Sequence, residues 1–212
     1  MSLQKQLKIA VLISGGGTTL KNLLAIHSQG RLPAGFSIVI SSNANAAGNA
    51  LATENGIELL VTERKDHDSD ASFSEAIFAA CRRAEVELVV MGGFLKKVVI
   101  PADFENRVIN IHPSLIPDFC GKGMYGMRVH RAVIEAGSST SGCTVHFVDN
   151  EYDHGPIVAQ SKVEVLADDT PESLQRRVFA AECELYPSVI TAIANGSIAV
   201  VDGNNVRVAK TK

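Results

Sequence analysis

The chain has no tryptophan, and aromatic residues make up only 5% of its 212 residues. Proteins that bind single-stranded nucleic acid stack bases on aromatic side chains, so this composition argues against that class. A basic excess is also missing, because 20 Lys and Arg residues face 23 Asp and Glu residues and leave a formal net charge of -3. We therefore expect no nucleic-acid partner. A single phosphate group is not excluded, since backbone N–H groups alone can bind it.

Long apolar runs and paired cysteines are absent as well. No run approaches the roughly 20 apolar residues that span a bilayer, and residues 1–8 lack the apolar core of a signal peptide. The four cysteines form no Cys-x-x-Cys pair, which argues against a zinc site and a disulfide framework. With 46% hydrophobic and 20% charged residues, the composition is that of a folded globular protein. We expect a soluble, cytoplasmic protein with no membrane partner and no metal.

The first half of the chain alternates short apolar runs with segments of helical spacing. Runs of strand length lie at residues 7–14, 36–41, 57–61, 86–91 and 107–112. Helical spacing is found at residues 18–30, 46–55 and 72–83. Apolar strands separated by helices predict an α/β fold, Rossmann-like, with a mostly parallel sheet and helices on both faces. Ligands of such sheets bind at the carboxyl ends of the strands.

The second half has a different pattern. Two strand-like runs at 140–149 and 156–165 flank a tight acidic loop, which predicts a hairpin added to the sheet. A long helix is predicted at 171–194, with Thr170 as its N-cap. Residues 198–208 carry a second hairpin signal. No repeat or linker divides the chain, so we expect a single domain over 1–212 with its core at about 8–194.

Three consecutive glycines, Gly15 to Gly17, stand between the first strand and the first helix. Such a loop lets an anion approach the free N–H groups at a helix start. The alternative is a plain tight turn in which Thr18 only caps the helix. A dinucleotide site is disfavoured because Leu20 occupies the place of the third glycine, and no Gly-Lys-Ser/Thr motif supports a Walker loop. We interpret the loop as a monophosphate site.

A second polar cluster is predicted where the strand at 107–112 ends. Asn110 and His112 are two residues apart, so their side chains point to the same face, and Pro113 ends the strand after them. A catalytic histidine needs a carboxylate to orient it and raise its pKa. Asp153 is the candidate, because Gly-Pro at 155–156 bends the chain directly after it. The alternative is that His112 only bonds a backbone carbonyl and Asn110 only stabilises a turn.

Two further histidines lie near this loop. His154 is expected to face solvent, and His146 is expected either in the core or as a supporting partner of the cluster. A metal held by these residues finds no support in their spacing.

The resemblance to a known family is carried by three motifs: NIHPSLIP at 110–117, GCTVHFV at 142–148 and DxGP at 153–156. With them, residues 8–194 resemble the formyltransferases that use 10-formyltetrahydrofolate. The glycine loop, ISGxGTxL at 13–20, is similar to that of members whose substrate is a small phosphorylated amine. The resemblance implies transfer of a formyl group from 10-formyltetrahydrofolate, as a cosubstrate, to the amine of glycinamide ribonucleotide in purine biosynthesis. It implies no metal, and a monomer or a homodimer.

The resemblance also implies roles for particular residues. The catalytic residues would be Asn110, His112 and Asp153. The phosphate would bind to Gly17, Thr18 and Thr19, and the ribose hydroxyls to Glu182. The folate would contact Leu95, Lys96, Lys97, Val98 and Asn110, with Lys97 at a place that is usually apolar in the family.

Three alternatives remain open at this point. A formyltetrahydrofolate hydrolase would use water as the formyl acceptor, but the similar hydrolases carry an additional N-terminal domain. Formyltransferases acting on another phosphorylated amine, on tRNA or on a nucleotide sugar share the chemistry, and those acting on tRNA or a nucleotide sugar usually have a C-terminal domain. A nucleotide-sensing module would need the glycine loop but not the catalytic set.

Overall fold

The computed structural model of the protein describes residues 6–202 and 205–208. The chain forms two compact units, Met1–Ile109 and Asn110–Lys212. Each unit is described by itself below, and the single domain expected over 1–212 stays a prediction.

The first unit alternates strands and helices from its start. Its elements are β1 (Leu7–Ile13), α1 (Thr18–Ser28), β2 (Ala34–Ser41), α2 (Asn49–Glu54), β3 (Glu58–Val61), α3 (Asp70–Arg83) and β4 (Leu88–Met91). Short 3-10 turns lie at Arg64–Asp66 and Ala102–Phe104. The strand order is β3-β2-β1-β4, and each of these pairs is parallel. Residues 9–13 of β1 are completely buried, as expected for the centre of a parallel sheet.

Local capping explains the helix boundaries in this unit. Helix α3 begins two residues before the predicted start because Ser69 and Ser72 form a reciprocal capping box. Helix α2 is shorter than the predicted 46–55, since it begins only after Gly48. The amide of Gly48 donates to the Gly15 carbonyl at 3.0 Å, so the residues before α2 serve the glycine loop and not the helix.

The second unit begins within β5 (Val108–His112). Its other elements are α4 (Met127–Glu135), β6 (Thr140–Phe147), β7 (Ile157–Glu164), α5 (Pro171–Ala194), β8 (Ile198–Asp202) and β9 (Asn205–Val208). Strands β6 and β7 pair antiparallel, with a register shift between Val145 and His146. Strands β8 and β9 also pair antiparallel, and the turn predicted between them lies at 203–204, outside the described residues.

Of the two helices in this unit, one was predicted from the sequence and one was not. Helix α5 has its predicted bounds, with a capping box between Thr170 and Ser173 and Pro171 in the first turn, where a missing N–H is tolerated. Helix α4 was not predicted, because it is only nine residues long and starts directly after the glycine-rich stretch at 121–126.

The predicted fold class, an α/β fold with a mostly parallel sheet and an added antiparallel hairpin, is confirmed. Among the described helices, none combines the length and the apolar character needed to cross a membrane.

Candidate active site

Strand β5 presents Asn110 and His112 at its carboxyl end. Val108 and Ile109 are fully buried, and His112 is 3% exposed while Asn110 is half-buried. Side chains alternate along a strand, so residues 110 and 112 share one face. Both reach the same group of side chains in the second unit, which confirms that they lie together.

His112 has an acceptor at each of its ring nitrogens. Its Nε2 lies 3.0 Å from the Phe119 carbonyl oxygen, and its Nδ1 lies 3.5 Å from Oδ2 of Asp153. A carbonyl oxygen can only accept, so Nε2 carries a hydrogen. The structure thus brings His112 and Asp153 together as predicted, and the backbone carbonyl that was the alternative partner is present as well.

Asp153 points into the protein although it belongs to a loop. Its backbone has φ = +52°, a left-handed conformation that aspartate tolerates better than most residues. Its Oδ2 accepts the Gly121 N–H at 2.9 Å, and its Oδ1 lies 3.7 Å from Nε2 of His146. Burial by itself would raise the pKa of Asp153, but His146, His112 and the Gly121 amide together hold that pKa below its usual value. The carboxylate is therefore ionised and faces two histidines.

His146 supports both Asn110 and Asp153 from β6. Its Nδ1 donates to the Phe147 carbonyl at 2.8 Å, and its Nε2 lies 3.3 Å from Nδ2 of Asn110 and 3.7 Å from Oδ1 of Asp153. The register shift before His146 is a bulge of the kind that redirects a side chain. His146 is 2% exposed, so it is a core residue that also lies beside Asn110 and Asp153.

The protonation of His112 depends on opposing influences. Burial lowers its pKa below the ordinary value, and Asp153 and the Phe119 carbonyl oppose this shift. The geometry suits the protonated ring, because two N–H groups would then meet two acceptors. Loss of either ring proton would leave a nitrogen lone pair against an acceptor, so this geometry stabilises the imidazolium, which is the form that a general acid requires.

A network around Thr144 fixes the chain after β5. The buried Thr144 hydroxyl donates to the Ser114 carbonyl at 2.7 Å and accepts the Ile116 N–H at 3.1 Å. The Gln160 amide donates to the Ile116 carbonyl and to the Thr144 hydroxyl, each at 2.9 Å. The hairpin β6–β7 thereby holds the segment that leads to Phe119.

Two further predicted residues, His154 and Glu182, belong to the second unit. His154 is exposed and pairs with Asp149 at 2.7 Å, which raises the pKa of His154, so the prediction that it faces solvent is confirmed. Glu182 is partly buried on α5, and burial raises its pKa to about 7. Within the described part of the chain, the Glu182 carboxylate has no hydrogen bond or ion pair.

In the first unit, the glycine loop keeps its amides available. Gly17, with φ = +69°, is the N-cap of α1 and provides no side-chain cap, so the alternative in which Thr18 caps the helix is wrong. A Cβ on Gly17 would lie 2.8 Å from the Gly48 Cα, which explains the need for glycine there. Gly15, Gly16 and Thr18 are exposed. The N-cap of α1 thus supplies no side-chain acceptor to the first-turn N–H groups, an arrangement that suits an anion site.

The segment predicted to bind folate is mostly exposed. Leu95 is 58% exposed and donates its N–H to the Ser14 hydroxyl at 2.9 Å, next to the glycine loop. Lys96 and Lys97 are exposed, whereas Val98 is buried at 5%. The structure therefore connects this segment to the start of the glycine loop and places its last residue in the core.

Sequence reasoning missed the contribution of the turn before α4. Phe119 and Gly121 contact His112 and Asp153 through backbone atoms, which no side-chain pattern reveals. His130, on α4, is 2% exposed with an unpartnered Nδ1, and it lies close enough to His112 for their charges to interact. Among the described residues, no group of three or more His, Cys, Asp or Glu is arranged to hold a metal ion.

The loop that carries Asp153 depends on a glycine. A Cβ at Gly155 would lie 2.0 Å from the Phe147 carbonyl oxygen, and that carbonyl belongs to backbone with little freedom to move. We expect Gly155→Ala to lower the free energy of unfolding by ~1–3 kcal/mol, the usual cost of overpacking. Urea denaturation measures this change. The control, Gly16→Ala, has nothing within 4 Å of the new Cβ; equal stability of the two variants would contradict the prediction.

With this geometry established, comparison with known proteins gives the class. The family model described as Formyl transferase matches residues 7–190, most of the chain. The chain therefore belongs to the formyl transferase family.

Within that family, the chain is similar to proteins named phosphoribosylglycinamide formyltransferase. Phosphoribosylglycinamide formyltransferase of Haemophilus influenzae is 36% identical over 198 residues, which cover 92% of this chain and 91% of that protein. The chloroplastic phosphoribosylglycinamide formyltransferase of Arabidopsis thaliana is 40% identical over 196 residues, but these span only 66% of its length and 90% of this chain. The crystal structure of glycinamide ribonucleotide transformylase 1 from Symbiobacterium toebii superposes with a TM-score of 0.89 at 36% identity, covering 97% of this chain and 95% of that one.

Proposed function

We propose that the protein transfers the formyl group of 10-formyltetrahydrofolate to the amine of 5'-phosphoribosylglycinamide, a step of purine biosynthesis. The observation that carries this proposal is the buried His112–Asp153 pair, with the Asn110 amide on the same strand face. Family membership and the names of the relatives described above support it. The cytoplasmic location and the monomer or homodimer expected from the sequence belong to the same proposal.

In this mechanism the substrate amine attacks the formyl carbon, and a tetrahedral oxyanion forms. The Asn110 amide and an N–H of protonated His112 donate hydrogen bonds to that oxygen, where one donor is typically worth about 3 kcal/mol of the barrier. The new C–N bond to the amine is complete when the bond to N10 breaks. His112 gives its proton to N10 as the bond to N10 breaks and then takes up the proton that the amine loses, and Asp153 stabilises the imidazolium before and after this exchange.

Binding roles are proposed for the other residues in their own units. Gly17, Thr18 and Thr19 would hold the phosphate at the start of α1, where the N–H groups are open to an anion. Glu182 would accept hydrogen bonds from the ribose hydroxyls, and among the described residues its carboxylate has no hydrogen bond or ion pair. The folate would contact Asn110 and the segment Leu95, Lys96, Lys97 and Val98.

The test of the function is an absorbance assay of folate release. The purified protein is mixed with 10-formyltetrahydrofolate, with and without glycinamide ribonucleotide. Release of tetrahydrofolate that requires the nucleotide supports the transferase. Release without it would make water the acceptor and the protein a hydrolase. No release, despite binding of the nucleotide, would contradict both enzymes and favour a sensor.

The phosphate role of the glycine loop is tested by Thr18→Glu. A carboxylate at this exposed position would repel the phosphate, so we expect the KM for the nucleotide to rise at least ~10-fold while kcat changes less. Steady-state kinetics with saturating folate separates the two constants. Thr53→Glu, at an exposed position on α2, is the matched control. An unchanged KM in Thr18→Glu would show that the phosphate does not bind at this loop.

A further inference from the structure

One short turn of the second unit touches both members of the His112–Asp153 pair. The Phe119 carbonyl accepts from Nε2 of His112 at 3.0 Å, and two residues later the Gly121 N–H donates to Oδ2 of Asp153 at 2.9 Å. This Oδ2 is the oxygen that faces Nδ1 of His112 at 3.5 Å. A backbone acceptor thus meets the histidine and a backbone donor meets the carboxylate.

The turn is held in an unusual backbone conformation. Phe119 has φ = +52° and Gly121 has φ = +92°, both in the left-handed region. The Ser114 hydroxyl donates to the Asp118 carbonyl at 2.6 Å, and the Cys120 thiol donates to the Pro117 carbonyl at 3.1 Å. Strained backbone that is fixed by its surroundings is characteristic of sites where geometry matters for function.

We propose that Gly121 is a positioning residue of the formyl transfer: its N–H holds Oδ2 of Asp153 towards His112 and so fixes the proton carrier. This inference rests on the proposed roles of His112 and Asp153. Gly121 acts through its backbone, and glycine is the residue that adopts φ near +92° with the least strain. Any L residue would tend to rotate the N–H away from the carboxylate.

The electrostatic surroundings of the His112–Asp153 pair determine in which direction the pKa of His112 shifts when Gly121 is replaced. The titratable groups that face it within the second unit are His146 from β6, His130 from α4, and Asp118 and Cys120 from the turn itself. Asp153 is the group whose charge most opposes the loss of the His112 proton. When Asp153 turns away, that support weakens, and the pKa of His112 falls.

The test compares Gly121→Ala with Gly123→Ala. Both glycines lie in the same loop with nearly equal φ values of +92° and +91°, and neither would bring a new Cβ within 4 Å of another atom. Among the hydrogen bonds of the described residues, the amide of Gly121 donates to Asp153 and the amide of Gly123 does not. We expect Gly121→Ala to lower kcat roughly 10-fold with both KM values within about 2-fold, since geometry at the reacting groups is lost and binding is not. Gly123→Ala should leave kcat within about 2-fold.

A second readout separates positioning from mere loop structure. NMR of the His112 ring protons without substrate measures the pKa of this residue. We expect that pKa to fall by about 0.5–1 in Gly121→Ala and to be unchanged in Gly123→Ala. In the unmodified protein, the amide proton of Gly121 should follow the ionisation of Asp153, and that of Gly123 should not. This last measurement needs no variant and holds even where Gly121→Ala folds poorly.

Two results would overturn the inference: an equal loss of kcat in both glycine variants, or an unchanged His112 pKa in a folded Gly121→Ala protein. Failure of the proposed function would look different. Then the unmodified protein would show no nucleotide-dependent formyl transfer, while the NMR titrations of His112 and of the Gly121 amide would still report whether the turn orients Asp153.

Discussion

His112→Ala is expected to lower kcat by ~10³-fold or more, because the change removes an oxyanion donor and the proton carrier together. Nucleotide binding should survive, since the proposed phosphate residues belong to the other unit of the chain and make no use of the imidazole. The measurement combines steady-state kcat with calorimetric titration of the nucleotide. A variant that binds the nucleotide normally and turns over slowly is the expected result.

A matched control for this change is His154→Ala. His154 lies in the same unit and carries the same ring, but its side chain is exposed and pairs with Asp149. We expect its kcat to stay within about 2-fold of the unmodified protein, as is usual for surface substitutions away from a site. Turnover that is equal in the two variants would remove His112 from the mechanism.

The residues of the candidate site could be predicted because their side chains carry the signal. Asn110 and His112 are polar residues on one face of an apolar strand, and Pro113 shows where that strand ends. Asp153 was distinguished from its acidic neighbours by the Gly-Pro bend that follows. The structure confirms that His112 and Asp153 meet, at 3.5 Å. The resemblance of the motifs to a known family pointed to the same residues.

Other parts of the site could not be predicted, because they act through the backbone or through irregular structure. Phe119 contributes its backbone carbonyl and Gly121 its backbone N–H. Every residue has a backbone carbonyl and every residue except proline has a backbone N–H, so the sequence gives no signal for either contact. His146 takes its place after a shift in strand register, and period-two alternation cannot predict such a shift. Helix α4 has only a short apolar face and follows a glycine-rich stretch. The spacing of its apolar residues was therefore too short a pattern to predict a helix.

The glycine loop shows a different limit. The sequence offered two interpretations, a phosphate loop or a turn capped by Thr18, and composition could not decide between them. The structure corrects one detail, because Gly17 and not Thr18 is the N-cap of α1, and phosphate binding at this loop stays a prediction. The close approach of Gly48 to Gly17 connects residues 31 apart in the chain, a packing constraint that no local pattern contains.

Asp153→Asn is expected to lower kcat by ~10²–10³-fold, within the range that general acid–base catalysis contributes. Asparagine keeps the size of the side chain but removes the charge that faces Nδ1 of His112. Asp153 is the main group that opposes the effect of burial on the pKa of His112, so that pKa falls further in the variant. The limb of the pH–rate profile that reports His112 should therefore move to lower pH, and kcat measured across the range about pH 5–9 would show it.

The control is Asp149→Asn, which changes the same charge in the same loop at an aspartate that pairs with His154. Its profile should match that of the unmodified protein.

The double variant that combines Asp153→Asn with His112→Ala gives a sharper test. A carboxylate that acts only through His112 has nothing left to contribute once the imidazole is gone. Its loss should equal that of His112→Ala alone. Losses that multiply would show instead that Asp153 contacts the reacting groups independently, and the pair would then be two separate contributors to the barrier.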